Sequence, residues 1–170
     1  MAYDPDVHHR RSIRLPGFDY SGGGTFFVTI CVDDRECLFG DVIDGTMCLN
    51  DAGRMIDANW RRLPALHPAV ALDAFQLMPN HLHGVVLLTA CPDLSLWDLI
   101  RRFKSFTANR YVEGVRNEGW TRPREHLWQR DYYEHVVRDD RSLESIREYI
   151  AANPAHWNSD PDNPTVWRRR

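Results

Sequence analysis

Two histidines one residue apart, His81 and His83, could present their imidazoles to one metal ion. They lie at the start of an apolar segment that predicts a strand, where residues i and i+2 point to the same side. The spacing alone is weakly specific, because such a pair is more often structural than metal-binding. Val85 and Val86 follow, which excludes a histidine-triad hydrolase and a metallo-β-lactamase-like site, and a second HxT or HxS element is absent. A two-histidine metal site here therefore needs a third ligand from elsewhere in the chain.

A predicted final helix over residues 142–153 offers that ligand. Tyr149 and Asn153 are four residues apart, so they share one face of the helix, beside its apolar stripe. Taken singly, a tyrosine at the edge of a stripe and an asparagine near a helix end are more often structural. Together with His81 and His83 they predict a metal held by the two histidines and Asn153, with Tyr149 one helical turn away.

Tyrosine is a nucleophile suited to one kind of chemistry. A phenol has a pKa near 10 and attacks a phosphodiester only with help from a Lewis acid. The resulting aryl phosphate keeps much of its transfer potential, so strands can be cut and rejoined without ATP. Tyr132 and Tyr133 are rival nucleophiles, but neighbouring strand residues face opposite ways and at most one could reach the metal. Tyr149 is preferred because it shares its helix face with Asn153.

The elements that must position these residues alternate between strand and helix. Apolar runs, caps and turn residues predict strands at 25–32, 69–77, 83–88 and 127–137, a hairpin at 37–48, and helices at 50–63, from Ser95, and at 142–153 ending at Pro154. This order predicts an α+β, ferredoxin-like split βαβ sandwich: an antiparallel sheet with helices on one face, plus an extra C-terminal helix carrying Tyr149. We expect one domain over residues 1–154 with a polar N-terminal arm at about 1–20, and a loosely packed tail at 155–170.

Composition excludes several classes of protein. The 170 residues suit one domain, and 43% hydrophobic with 26% charged residues is typical of a soluble globular protein. Transmembrane and signal segments are not predicted, and the four cysteines form no CxxC pair, so we expect a cytoplasmic protein. The net charge is −3, yet residues 100–116 hold five basic side chains against one acidic one. That cluster is either a solvated helix face or a contact for a polyanion.

Three motifs together resemble one known family. HLH at 81–83 lies within LMPNHLHGVV, followed by LWQRDYYEHVVRDD at 127–140 and REYIAANP at 147–154. They resemble the single-tyrosine transposases of the HUH endonuclease superfamily, and most closely the group called REP-associated tyrosine transposases. RLPGFDYS at 14–21 and FKS at 103–105 are also similar to that group, so the resemblance covers nearly the whole chain.

The resemblance implies roles for individual residues. His81, His83 and Asn153 would be the metal ligands, for Mg²⁺ or Mn²⁺, and Tyr149 the nucleophile. Insertion-sequence relatives often have glutamine where Asn153 stands. The implied reaction cleaves and rejoins single-stranded DNA at hairpin-flanked sites through a 5′-phosphotyrosine intermediate.

DNA contact is expected from basic and aromatic side chains. The basic candidates are Arg101, Arg102, Lys104, Arg110 and Arg130, with Arg10, Arg11 and Arg14 in the N-terminal arm. Trp128 and Tyr132 could stack on unpaired bases, although a core position for Trp128 is at least as plausible.

Two other functions stay open at this point. A domesticated DNA-hairpin-binding protein that no longer cuts is the main alternative, though it would have no need to keep His81, His83 and Tyr149 together. A rolling-circle initiator or relaxase shares the HUH site but usually carries further domains. The expected partner is single-stranded or hairpin DNA, with no membrane, and the protein would act as a monomer or homodimer.

Overall fold

The computed structural model describes residues 23–167, so the N-terminal arm, with Arg10, Arg11 and Arg14 and the 14–21 motif, lies outside the described residues. The strands are β1 (Gly24–Cys31), β2 (Gly40–Ile43), β3 (Thr46–Leu49), β4 (Val70–Leu77), β5 (His81–Leu88) and β6 (Tyr133–Val137). The helices are α1 (Asp51–Arg61), α2 (Leu63–Leu66), α3 (Leu96–Asn117), α4 (Asp140–His156) and α5 (Pro164–Trp167). Between residues 23 and 167, no helix combines the length and apolar composition needed to cross a membrane.

Four strands form the main sheet, in the order β4-β5-β1-β6. Every neighbouring pair is antiparallel. Helix α1 lies between β1 and β4 along the chain, and α3 between β5 and β6, which is the split βαβ arrangement. The short strands β2 and β3 form the separate hairpin expected around Asp44 and Gly45. The predicted fold class is confirmed.

The two faces of the sheet bury different helices. Alternation along β1 sends Phe26 and Val28 into the larger core, which also holds Trp60 of α1 and Phe103 of α3. Phe27 points the other way, into a smaller core completed by residues of β5 and α4 (Val85, Ile146 and Ile150). Helices α1 and α3 therefore cover one face, and the additional helix α4 covers the opposite face.

Gly84 allows the larger core to pack tightly behind β5. A Cβ built at Gly84 would lie 2.4 Å from Cζ2 of Trp60, closer than any real side chain contact. The indole is fully buried and stacks on Phe75, with ring centroids 5.4 Å apart. The glycine after the second histidine thus belongs to the packing of the sheet.

Hydrogen bonds to the side chain of the residue before each of α1, α3 and α4 fix where these helices begin. The Asn50 side chain accepts a hydrogen bond from the Gly53 amide at 2.8 Å, as its position before α1 predicts. Ser95 and Asp98 form a capping box at the start of α3. Helix α4 begins earlier than predicted, because Asp139 accepts from the Ser142 amide at 2.8 Å and caps a helix that starts at Asp140.

The last strand is shorter than the sequence predicts. The sequence predicts a strand over residues 127–137, but β6 begins at Tyr133, and an isolated bridge joins Trp128 to Val32 before it. The ammonium group of Lys104 donates hydrogen bonds to the carbonyl oxygens of Gln129 and Arg130. Those carbonyls are used by a side chain of α3, so this part of the segment does not extend the ladder of the sheet.

Residues 157–163 are packed, which corrects the expected loose tail over that part of it, and residues 168–170 lie outside the described residues. Helix α4 continues through Pro154 to His156, since proline removes one backbone donor without ending the helix here. Trp157, Asp162 and Asn163 are then buried. The Asn163 side chain donates to the Trp157 carbonyl at 2.9 Å, closing a turn that has no periodic sequence pattern.

Candidate active site

His81 and His83 are the first and third residues of β5 and face α4. In the register of the sheet, His81 lies opposite Cys31 and His83 opposite Thr29 of β1. Both imidazoles are buried, with His81 fully covered and His83 3% exposed. Their ring centroids are 4.6 Å apart. The strand spacing therefore places the two rings together, as the sequence predicts.

Each histidine is oriented by a hydrogen bond on Nδ1. Nδ1 of His81 lies 2.9 Å from Oδ1 of Asn80, and Nδ1 of His83 lies 2.8 Å from Oγ1 of Thr29. The Nε2 atom of His81 is buried and has no hydrogen-bond partner within residues 23–167. Metal-binding histidines commonly use one ring nitrogen for such a support and the other for the ion.

Tyr149 reaches this site from α4. Its Oη lies 3.4 Å from Nε2 of His83, and its ring meets that of His83 with centroids 5.2 Å apart. Phe27 packs edge-on against the same tyrosine at 6.2 Å. The phenol group is therefore held beside the histidine pair by two aromatic contacts.

Asn153, one turn further along α4, completes the group. It is 4% exposed, and in the part of the chain that the structure describes its Oδ1 has no hydrogen-bond partner. Its amide is close enough to raise the pKa of His81 and to lower that of Tyr149. The four residues that the sequence singles out, His81, His83, Tyr149 and Asn153, thus meet in one place.

Burial sets the protonation states of the site. It lowers the pKa of His81 to about 4 and that of His83 well below its ordinary value, so both imidazoles are neutral at pH 7. Burial also raises the pKa of Tyr149 to about 12, with the Asp160 carboxylate adding to the shift. The site therefore holds two neutral nitrogen donors and a protonated phenol.

The donor set fits a divalent cation only if the amide takes part. Residues 23–167 contain no group of three or more His, Cys, Asp or Glu side chains that could hold a metal ion. Among the buried side-chain atoms of residues 23–167 that have no hydrogen-bond partner, Nε2 of His81 and Oδ1 of Asn153 belong to this site, and both are lone-pair donors. Two imidazoles and one amide oxygen would leave coordination positions open for a substrate oxygen.

The rival tyrosines lie on opposite sides of the sheet. Tyr133 pairs with Thr29 in the sheet and packs against Phe27, with centroids 6.1 Å apart, on the side of the histidines. Tyr132 packs against the larger core on the other side. As expected, only one of the two faces the site, and Tyr133 is the natural comparison for Tyr149.

The predicted DNA-contacting cations of α3 lie on the other face of the sheet. Arg101 stacks over the Trp97 ring at 4.8 Å, Arg110 pairs with Glu113, and Arg102 is exposed. Lys104 is half-buried by its contact with residues 129 and 130. The structure therefore does not bring these side chains to Tyr149.

Arg130 and Lys104 instead line a groove between α3 and residues 122–130. Its volume is about 610 Å³, and Arg116 and Arg122 are its other cationic lining residues. Trp128 forms part of its floor, but the indole is 6% exposed and its Nε1 donates to Oγ1 of Thr107 at 2.9 Å. Trp128 is thus mainly a core residue, and the groove is the cationic feature of this face.

Sequence reasoning missed several supporting residues. Asn80 and Thr29 orient the histidines, and Arg147 joins α4 to Asp73 of β4. Asn80 directly precedes His81, so its place in the motif was a usable signal. The pairing of residues 73 and 147 spans 74 positions, and nothing local in the sequence indicates it.

The sequence is similar to those of known proteins. A family profile described as transposase IS200-like matches residues 65–153, which include all four site residues. An uncharacterised protein of Haemophilus influenzae is 37% identical over 181 residues, covering 93% of this chain and 95% of that protein. A candidate REP-associated tyrosine transposase of the same organism is 26% identical over 138 residues, covering 80% and 73% of the two chains.

Solved structures share the fold. A REP-associated tyrosine transposase bound to a REP hairpin superposes with a TM-score of 0.60 at 19% identity, covering 81% of this chain and 70% of that one. A candidate transposase from Deinococcus radiodurans gives a TM-score of 0.50 at 17% identity, covering 79% and 92%. The resemblance carried by the histidine and tyrosine motifs is confirmed by these likenesses, and the profile spans more than half of the sequence. The chain belongs to the family of IS200-like transposases.

Proposed function

We propose that this protein cleaves and rejoins single-stranded DNA at hairpin-flanked sites through Tyr149, with a divalent metal as cofactor. One observation carries the proposal: Tyr149 and the three candidate ligands converge in a buried site where Nε2 of His81 and Oδ1 of Asn153 have no partner within the described residues. Buried polar atoms are normally paired, so two unpaired lone-pair donors in one place support the proposal that a ligand binds there.

His81, His83 and Asn153 would hold the cation, Mg²⁺ or Mn²⁺. When bound, it would polarise the scissile phosphate and favour the ionised phenol. Asn80 and Thr29 keep the two imidazole rings in place. The neutral state of both rings at pH 7 leaves their lone pairs available without first losing a proton.

Tyr149 would then carry out a transesterification. Its Oη attacks the phosphorus and gives up its proton to solvent, forming an ester with the 5′ phosphate. The bond from phosphorus to the 3′ oxygen breaks, and that oxygen takes up a proton and leaves as a free hydroxyl. A second 3′ hydroxyl reverses the step and rejoins the strands. Phe27 and His83 hold the phenol ring so that this oxygen stays beside the ligands.

The groove between α3 and residues 122–130 supplies a surface for the DNA hairpin. Four cations line it, Lys104, Arg116, Arg122 and Arg130, and a related fold is known bound to a REP hairpin. Arginine binds phosphate in a bidentate manner, and contacts of this kind would make affinity depend strongly on salt. Arg101, Arg102 and Arg110 would extend the same positive surface along α3.

The test is a cleavage assay on hairpin oligonucleotides taken from the gene's own flanks, labelled at either end. The wild-type protein with Mn²⁺ is expected to give a covalent protein–DNA band on a denaturing gel, and EDTA to abolish it. Tyr149→Phe should lose the band. Tyr133→Phe removes the same hydroxyl from the neighbouring tyrosine that faces the site, so it should keep the band.

The possible results separate three interpretations. An adduct that persists in Tyr149→Phe but disappears in Tyr133→Phe would place the nucleophile on β6. Binding to several hairpins with neither cleavage nor adduct would favour the non-cleaving hairpin-binding protein.

A further inference from the structure

Asn80 is a buried amide whose three hydrogen bonds reach three separate segments of the chain. Its side chain is 1% exposed. Nδ2 donates to the Arg35 carbonyl at 2.8 Å and to the Asp162 carbonyl at 2.7 Å. Oδ1 lies 2.9 Å from Nδ1 of His81. The group therefore touches the turn after β1, the candidate ligand and the C-terminal segment.

The two carbonyl partners fix the orientation of this amide. Rotating it by half a turn would place Oδ1 against the carbonyl oxygens of Arg35 and Asp162, where it has no proton to donate. Oδ1 must therefore face His81. An amide oxygen only accepts, so the atom that meets it has to be an N–H.

This orientation decides which nitrogen of His81 carries the proton. With Nδ1 as the donor, a neutral ring has its lone pair on Nε2. That is the buried nitrogen without a hydrogen-bond partner in the described part of the chain. The opposite tautomer would put two acceptors face to face at Nδ1.

The two segments that carry the Arg35 and Asp162 carbonyls are fixed by further contacts. Asp34 and Arg35 both have left-handed backbone angles, with φ of 50° and 54°, in the turn that presents the Arg35 carbonyl. The Arg35 guanidinium also pairs with the Asp162 carboxylate. The turn after β1 and the C-terminal segment are thus joined to each other as well as to the Asn80 amide.

We propose that Asn80 is a positioning residue, which selects the His81 tautomer with a proton on Nδ1 and couples that choice to the C-terminal segment through Asp162. The role of Nε2 as a metal ligand rests on the function proposed above, whereas the tautomer can be measured in the metal-free protein.

The tautomer is tested by long-range ¹H–¹⁵N NMR of the full chain at neutral pH without metal. The spectrum distinguishes a protonated from an unprotonated ring nitrogen, and His81 is assigned by its absence in His81→Gln. The wild-type protein is expected to show His81 protonated on Nδ1. A wild-type His81 protonated on Nε2 would overturn the proposal, whatever any variant does.

Two substitutions separate the contact of Asn80 with His81 from its contacts with the two backbone carbonyls. Asn80→Asp keeps an acceptor for Nδ1 but replaces both N–H donors with oxygen, so it should keep the tautomer while amide exchange in residues 157–163 becomes faster. Asn80→Ala removes both contacts and should give a mixture of tautomers. Ser95→Ala, which breaks the cap of α3, is the control for a general loss of stability. It should change neither the His81 tautomer nor amide exchange in residues 157–163.

Metal affinity gives a second measurement, with Mn²⁺ alone as the probe and free Mn²⁺ followed by EPR. Loss of a supporting hydrogen bond on a ligand typically weakens metal affinity by about 10- to 100-fold, and this is expected for Asn80→Ala. Asn80→Asp should keep more of the affinity than Asn80→Ala does. An unchanged His81 tautomer in a folded Asn80→Ala protein would refute the inference.

The two measurements have separate consequences. The tautomer tests the role of Asn80, and wild-type binding of Mn²⁺ tests the metal site of the proposed function. A wild-type protein with the expected tautomer that binds no Mn²⁺ would support the former and contradict the latter.

Discussion

Asn153 places a buried amide beside His81 and Tyr149, and within the described residues its Oδ1 has no hydrogen bond of ordinary geometry. A buried amide oxygen without a partner costs about 1–3 kcal/mol relative to a satisfied one. Asn163, another buried asparagine, has its Nδ2 bonded to Trp157 and its Oδ1 bonded to Thr165. The contrast between the two asparagines supports the proposed role of Asn153 as a ligand.

Replacing Asn153 with leucine tests this at constant size. Asn153→Leu should not lower the free energy of unfolding of the metal-free protein and should raise it by up to about 1–3 kcal/mol, because the cost of the unpaired buried oxygen is removed. Affinity for Mn²⁺ should fall at least 10-fold, since one of three donors is gone. Urea unfolding without metal and Mn²⁺ titration measure the two effects.

Asn163→Leu is the matched substitution at a satisfied amide. It removes real hydrogen bonds and should lower the free energy of unfolding, which Asn153→Leu should not do. If Asn153→Leu binds Mn²⁺ as tightly as the wild-type protein, Asn153 is not a ligand.

At the scale of elements, α4 carries two of the four candidate site residues, Tyr149 and Asn153, so its position over the sheet must be fixed. Its apolar contacts with Phe27 and Val85 are joined by a bidentate ion pair. Nε and Nη2 of Arg147 lie 2.8 Å and 2.7 Å from the two carboxylate oxygens of Asp73 on β4. Arg147 is two residues from Tyr149, so the pair fixes the helix close to the candidate nucleophile.

The ion pair makes stability depend on pH in the acid range. The hydrogen bond from Arg147 lowers the pKa of Asp73 below its ordinary value. The pair therefore contributes stability that is fully present above the unfolded pKa of aspartate, about 3.9, and is lost as pH falls through the lower folded pKa. Asp73→Asn should be less stable than the wild-type protein at pH 6, and the difference should shrink below pH 4 in urea unfolding.

Asp57→Asn serves as the control, because the Asp57–Arg61 pair lies within α1 and joins no two elements. It should leave the rate of DNA cleavage unchanged, whereas Asp73→Asn should lower that rate by loosening α4. Equal rates for both variants would argue against a role for Arg147 in positioning the helix.

Much of this arrangement could be predicted from the sequence because it depends on local rules. The strand spacing of His81 and His83, the helical spacing of Tyr149 and Asn153, and the caps at Asn50 and Ser95 are all short-range patterns. The shortened β6 and the packed C-terminal segment could not be predicted, since they depend on partners distant in sequence. Lys104 reaches residue 130, and Asn80 reaches Asp162.

At the scale of the whole molecule, the candidate chemistry and the cationic groove lie on opposite faces of one sheet. A net charge of −3 is compatible with DNA binding because the lining of the groove holds four cations against one carboxylate, Glu125. A DNA substrate that uses both surfaces would have to pass around an edge of the sheet. Substitutions in the groove should therefore change the affinity for DNA without changing the candidate metal site.

Arg122→Ala tests this separation. It should weaken hairpin binding similarly for different hairpin sequences and reduce the slope of log affinity against log salt by about one, as loss of one phosphate contact predicts. Its affinity for Mn²⁺ should equal that of the wild-type protein. Fluorescence anisotropy across a salt series provides the measurement.

Arg61→Ala is the control, since it removes an equal charge from α1, away from the groove. It should leave the salt slope almost unchanged. Equal losses for Arg61→Ala and Arg122→Ala would mean that only total charge matters.

Side chains alternate between the two faces of β5, so one register of this strand places both the core residues and the candidate site residues. Leu82, Gly84 and Val86 pack against the larger core, while His81 and His83 face α4. Losing one residue from the buried connection Met78, Pro79 and Asn80 would exchange the two sets and bury the imidazoles among α1 and α3. Length changes are thus barred from this connection even in descendants that no longer need the histidines.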